Sequence, residues 1–373
     1  MSKVHRGKQP GMLCQKTWGF PIIALICALA ISGCATVSSD HMGGARRFDI
    51  GVIGDTQYTA EDEKKFLNVI DHVNQSDLAF VVHVGDFQGD YGGYTEGDGM
   101  PPCTDQTYLD RRDRFNAFRH PLIVTPGDNE WTDCHKSKTR RFDPLERLAK
   151  LRELFFRGDQ SLGQRQLKLT RQSNTDPKYE KFCENAYWIQ SDVLFVTVHI
   201  PGSNNNFDRT PEMDREYAER NTANIVWLKQ AFELAKKNGY KGILIFTQAN
   251  LNFEDRWPER NIRNQRIGPS AYKKSGFTDF LIALEAETIA FGNPVALVHG
   301  DTHYFRIDKP LFDSKTTAAR GGSARGRTLD NFTRVETFGS PGAHWVRVSV
   351  DPEDPGVFTF KEALVKKNLY LGK

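Results

Sequence analysis

The chain has 373 residues, of which 39% are hydrophobic and 26% charged, and it carries a formal charge of +3. Lys3, Arg6, Lys8 and Lys16 supply four of the positive charges, and without residues 1–34 the formal charge falls to −1. That near-neutral remainder excludes general attraction to nucleic-acid polymers, and its length suits one large α/β domain with no internal linker.

Residues 1–34 read as an export signal. Basic residues lead into an apolar stretch at 21–31, shorter than the roughly 20 residues of a membrane-spanning helix, and Ile31-Ser32-Gly33-Cys34 places small residues before a cleavage point. An uncleaved membrane anchor is the alternative. The same four residues resemble the lipobox of bacterial lipoproteins, which implies acylation of Cys34, and Ala35 after it points toward the outer membrane. Ordinary cleavage nearby would release a soluble periplasmic protein instead. Residues 35–47 are small and polar and form a tether, leaving 48–373 as a single domain.

Residues 48–53 read as a strand, and 61–73 as an amphipathic helix with Phe66, Val69, Ile70 and Val73 on one face. A second strand spans 78–84, followed by a Gly-, Tyr- and Asp-rich loop at 88–102 that is either a lid or a solvated insertion. A helix at 106–119 and a strand at 121–125 complete a β-α-β-α-β order, which argues for a mainly parallel core. Next come a helix at 145–156 and a hairpin of 186–190 with 193–199 about Ser191-Asp192. The longest helix covers 215–238 and closes at Gly239. Strands at 242–247, 295–299, 304–307, 345–350 and 357–360 follow, with a helix at 272–290 and an Arg- and Gly-rich loop at 315–330. Parallel units followed by antiparallel strands predict a four-layer α-β-β-α sandwich of two mixed sheets.

Four apolar runs end in Gly-Asp, at Asp55, Asp86, Asp128 and Asp301. In open α/β sheets the ligand crevice lies beyond the carboxyl ends of the strands, so four such ends would gather four carboxylates. Crowded, desolvated carboxylates are tolerable mainly when a cation neutralises them. The preceding glycines are expected to let the backbone turn sharply. Gly89-Asp90, Gly97-Asp98 and Gly158-Asp159 follow no apolar run and read as ordinary turns. Cys103 and Cys134 fall in loops at the same crevice rim, so a disulfide between them suits an oxidising compartment, with Cys183 as a competing partner.

Gly54-Asp55-Thr56-Gln57, Gly85-Asp86, Gly127-Asp128-Asn129-Glu130, Thr247-Gln248 and Gly300-Asp301-Thr302-His303, in that order, resemble the five sequence blocks of the calcineurin-like metallophosphoesterase superfamily. The resemblance runs from about residue 48 to 360. It implies metal ligation by Asp55, Asp86 and His303, with Gln57 as a weaker ligand in a position usually held by His. Asp128 stands in place of the family's Asn, Gln248 and Asp301 in place of His, and Asn129 in place of the catalytic His. The implied second position is oxygen-rich, which favours Mn²⁺, Mg²⁺ or Ca²⁺ over Zn²⁺, with Fe also within the family's range. The implied reaction is metal-dependent hydrolysis of a small extracytoplasmic phosphomonoester, diester or nucleotide by a metal-activated hydroxide without a phosphoenzyme. Asn129 cannot act as an acid, so either the leaving group departs without help, as from an anhydride or activated diester, or another residue supplies the proton, with His199 at the end of a strand as the first candidate and His83, His299 and His135 behind it. Trp131 and Asn204–Asn206 are candidate substrate contacts or simple packing and turn residues. The rival reading is an inactive metal-binding or scaffold lipoprotein that keeps the fold.

Overall fold

The computed structural model describes residues 46–90, 92–136, 141–253, 274–316 and 326–369. The export-signal reading of residues 1–34 therefore lies outside the described residues. Gly44–Lys373 forms one compact unit.

The strands are β1 (Phe48–Ile53), β2 (Val81–His83), β3 (Leu122–Val124), β4 (Thr170–Arg171), β5 (Ala186–Gln190), β6 (Val193–Thr197) and β7 (Gly242–Phe246). They continue with β8 (Val295–His299), β9 (Arg306–Asp308), β10 (Phe312–Asp313), β11 (Arg327–Thr328), β12 (Phe332–Glu336), β13 (Trp345–Val350) and β14 (Phe358–Ala363). One sheet has the order β14-β13-β1-β2-β3, the other β4-β5-β6-β7-β8-β12-β9, and β10 and β11 make a small separate ribbon. Within them β1-β2-β3 and β6-β7-β8-β12 are parallel, which is why these strands, β12 apart, read as largely apolar runs.

The sheets meet face to face through Ile50, Val52, Val82 and Val348 on one side and Phe195, Leu244, Phe246 and Val298 on the other. Helices Ala60–Asn74, Asp105–Asn116 and Pro144–Phe155 cover the outer face of the first sheet, burying Phe66, Val69, Phe115 and Leu151. Helices Pro211–Asn238 and Thr278–Phe291 cover the second, burying Trp227, Phe232, Phe280 and Leu284. The expected four layers are present. Local chemistry sets the helix ends: the side chains of Thr59, Thr104, Asp143 and Thr210 accept from first-turn amides, and Gly239 stops the longest helix at φ 67°. Ser191 and Asp192 take φ of 49° and 58°, the left-handed pair of a tight hairpin turn.

Some elements differ from the sequence reading. The last long helix starts at Thr278. Strand β12 is unanticipated, since Phe332, Arg334 and Glu336 mix apolar and charged residues that are all buried. The charges are tolerated because Arg334 pairs with Asp308 and Glu336 with Arg306.

Cys103 and Cys134 form a disulfide, and Cys183 stays free. The bridge closes a loop over a separation of 31 residues and fixes the turn after Asp128 to the segment before helix Asp105–Asn116. Loop-closure entropy for such a loop corresponds to roughly 3–4 kcal/mol. The double variant Cys103→Ser, Cys134→Ser is expected to lose about that much stability by urea denaturation, and an unchanged midpoint would show that the bridge adds nothing.

Candidate metal centre

Both sheets contribute their carboxyl ends to one crevice. Asp55, Asp86 and Asp128 follow β1, β2 and β3, while Gln248 and Asp301 follow β7 and β8. Three of these aspartates adopt left-handed backbone, with φ of 49° at Asp55, 53° at Asp86 and 85° at Asp301. Such strain in non-glycine residues persists where surrounding structure enforces it, and it concentrates at functional sites.

The glycines serve a different end from the one expected. Of the four, only Gly85 has a left-handed φ, at 101°. A Cβ on Gly300 would stand 1.8 Å from Asp55 Oδ2, and one on Gly127 would stand 2.0 Å from Asp86 Oδ1. Gly300 and Gly127 thus leave room for the carboxylates that follow β1 and β2. Asp55 Oδ1 accepts from the Asp301 amide at 3.0 Å, Asp86 Oδ1 from the Asn129 amide at 3.1 Å, and Asp301 Oδ2 from the Asn250 amide at 2.8 Å.

The other oxygens are crowded and under-satisfied. Asp55 Oδ2 and Asp128 Oδ1 are buried without a hydrogen-bond partner. A Cβ on Gly202 would lie 2.5 Å from Asp128 Oδ1 and 2.9 Å from Asp301 Oδ1, so those two oxygens flank one small space. Ser203 Oγ lies 2.8 Å from Asp128 Oδ2 and 2.8 and 2.9 Å from the two oxygens of Asp133. A single hydroxyl proton can serve only one of them.

Burial raises the carboxyl pKa of Asp86 far above its usual range, and the charges of Asp128, Glu130 and Asp55 raise it further. Burial does the same to Asp55, where the Asp301 amide opposes the rise and the Asp301 charge adds to it, and to Asp128, with the charges of Asp133 and Asp301 adding to it. Asp301 is pushed up to about 6 and Glu130 to about 7, in both cases first by burial. Buried charges that repel one another in this way are what a bound cation relieves.

His303 is held for ligation. Its Nδ1 lies 2.8 Å from the Ser340 carbonyl and donates to it, which leaves the lone pair on Nε2. Among the described residues no group of three or more His, Cys, Asp or Glu side chains stands ready to hold a metal ion. Even so, orphaned carboxylate oxygens, a poised imidazole and a glycine-lined hollow are an oxygen-rich donor set that fits hard divalent cations.

Several of the residues singled out from the sequence are engaged within the fold. The Gln57 side-chain carbonyl accepts from Arg114 Nη1 at 3.1 Å, and that of Gln248 accepts from the Gly202 amide at 2.6 Å. Each carbonyl is thus engaged within the fold, with one lone pair left over. Gln248 instead lies against the Asp55 carboxylate and steadies its charge. Asn129 donates its side-chain amide to the Gln88 carbonyl at 3.1 Å, and its own carbonyl lies beside the disulfide.

His199 does not suit the role of proton donor. It is fully buried, with Nδ1 2.9 Å from Glu184 Oε1, and that carboxylate is itself paired with Arg152. Burial lowers the His199 pKa to about 4. The neutral ring therefore carries its proton on Nδ1, facing Glu184, and has none on Nε2 to give. Burial also lowers His83 and His299 to about 3. Trp131 is wholly buried, edge-on to His199 and under Arg220, which makes it packing rather than a stacking platform. Asn205 and Asn206 bind Gly276, Arg220, Arg209 and Glu216 within the fold.

Four residues at the crevice were not singled out from the sequence: Tyr58, Asp133, Ser203 and Glu336. Tyr58 and Asp133 lie three and five residues beyond strand-end aspartates, which is the signal that would have found them. Glu336 accepts from the Thr302 amide at 3.0 Å and so supports the turn that carries Asp301 and His303.

Comparison with curated protein sequences gives no match. The family model described as calcineurin-like phosphoesterase matches residues 48–305, from the first residue of β1 through the turn bearing Asp301 and His303. By that match over most of its length, the chain belongs to the calcineurin-like phosphoesterase family, whose chemistry is in general metal-dependent phosphoester hydrolysis.

Proposed function

We propose that the domain hydrolyses a small extracytoplasmic phosphoester whose leaving group departs without help from a protein acid. The observation behind this reading is the set of buried, mutually repelling carboxylates with orphaned oxygens at Asp55 and Asp128. Asp55, Asp86 and His303 would hold one divalent cation, and Asp86, Asp128 and Asp301 a second. When bound, such cations lower the pKa of water and offset charge on the phosphoryl oxygens. The chain's own contribution is to fix the ligands: backbone amides orient Asp55, Asp86 and Asp301, and the Ser340 carbonyl fixes the His303 tautomer.

No proton donor stands among Asn129, His199, His83 and His299, as argued above. The substrate class that fits is an anhydride, an activated diester or an aryl ester. Across aryl phosphates graded by leaving-group acidity, kcat/KM is expected to fall steeply as the leaving-group pKa rises. A flat dependence would mean that a protein acid protonates the leaving group.

The export signal and the Ile31-Ser32-Gly33-Cys34 sequence support a lipid anchor on Cys34, with the domain on the periplasmic face of the outer membrane. Replacing Cys34 by Ser is expected to move the protein from the membrane to the soluble fraction. Unchanged fractionation would remove the anchor from this account.

A further inference from the structure

The residue next to Gln57 occupies the place that Gln57 vacates. Tyr58 Oη donates to Asp86 Oδ2 at 3.0 Å and lies 3.3 Å from His303 Nε2. Its ring packs edge-on against the His303 ring, with centroids 5.2 Å apart. A single oxygen thus sits between the free oxygen of one first-position ligand and the free nitrogen of another. The Gln57 carbonyl, one residue away, is held by Arg114. The left-handed φ of 75° at Gln57 accompanies this arrangement, sending the amide side chain toward helix Asp105–Asn116 and the phenol into the crevice.

We propose that Tyr58, rather than Gln57, is the fourth ligand of the first cation position, beside Asp55, Asp86 and His303. The inference rests on the metal-dependent reading above. A cation bound there would displace the phenol proton to solvent, and the phenol oxygen would add a hard anionic donor in place of a neutral amide. The position so formed holds three oxygen ligands and one imidazole, a set that favours hard cations such as manganous or ferric ion over zinc.

The test is manganous-ion binding to the purified domain, followed by calorimetry and by the ultraviolet difference spectrum of tyrosine. Wild type is expected to bind with a tyrosine difference signal. Tyr58→Phe should lose that signal and bind at least about tenfold more weakly at the first position, while Gln57→Ala keeps both the signal and the affinity. Equal binding by wild type and Tyr58→Phe would overturn the assignment, as would a loss confined to Gln57→Ala. Weakened binding by Tyr58→Phe without any tyrosine signal in wild type would make the hydroxyl a brace between two ligands and also overturn it. Absence of manganous binding to wild type would contradict the proposed function itself, a failure distinct from all of these.

Discussion

Asp86→Asn is expected to lower kcat/KM for an aryl phosphate by about 1000-fold or more, which corresponds to about 4 kcal/mol of lost transition-state stabilisation. Asp86 is the carboxylate that feels Asp128, Glu130 and Asp55 together, so it stands between the two proposed cation positions. Asn keeps the shape, and its one oxygen can still accept from the Asn129 amide while its NH2 takes the place of the oxygen that accepts from Tyr58. It removes the charge that would hold the cations. The same change takes away a buried, repelled carboxylate, so the metal-free variant should unfold at a higher temperature than metal-free wild type at pH 8. Activity loss joined to a gain in apo stability separates a chemical role from damage to the fold. Turnover retained within about tenfold would contradict the placement of Asp86.

Metal removal should make stability depend on pH in a sense opposite to that of ordinary salt-bridged carboxylates. Asp301 is raised from 3.8 to about 6 and Glu130 from 4.5 to about 7, each first by burial. A carboxyl whose folded pKa is raised favours the native state while it keeps its proton. Its contribution is complete below about pH 4 and is lost as pH rises through about 6 to 7. For Asp301 alone the loss is of order 2–3 kcal/mol. EDTA-treated protein is therefore expected to melt several degrees lower at pH 8 than at pH 5.5. Manganous ion should restore more stability at pH 8, because at pH 5.5 it competes with protons for the same oxygens. Equal melting temperatures at the two pH values, with no metal increment at either, would mean that the carboxylates do not form a cation site.

Much of the fold was legible because its central strands are buried on both faces. β8 reads as a continuous apolar run and β1 and β13 as mainly apolar ones, and the sequence boundaries of all three match the structure at both ends. β12 was illegible for the converse reason: Arg334 and Glu336 are buried, but their partners Asp308 and Arg306 come from β9, and no local pattern announces that pairing. At the site, the repeated Gly-Asp located the carboxylates, yet the job of each glycine was hidden. Whether Gly300 frees its own backbone or makes room for Asp55 depends on a neighbour in the other sheet. Side-chain direction was hidden from the sequence at the proposed ligands. Gln57 and Tyr58 are adjacent in sequence, and only the left-handed turn decides which one enters the crevice. His199 looked available as a strand-end histidine, while Glu184, the residue that claims its proton, lies across the sheet before β5.

The most direct measurement of the central claim is hydrolysis of an aryl phosphate by EDTA-stripped protein before and after stepwise addition of manganous ion. The account predicts no turnover in the stripped protein and restoration as the ion binds, saturating at two equivalents per chain. Turnover that EDTA leaves intact, or two equivalents bound with no hydrolysis of mono- or diesters, would contradict it.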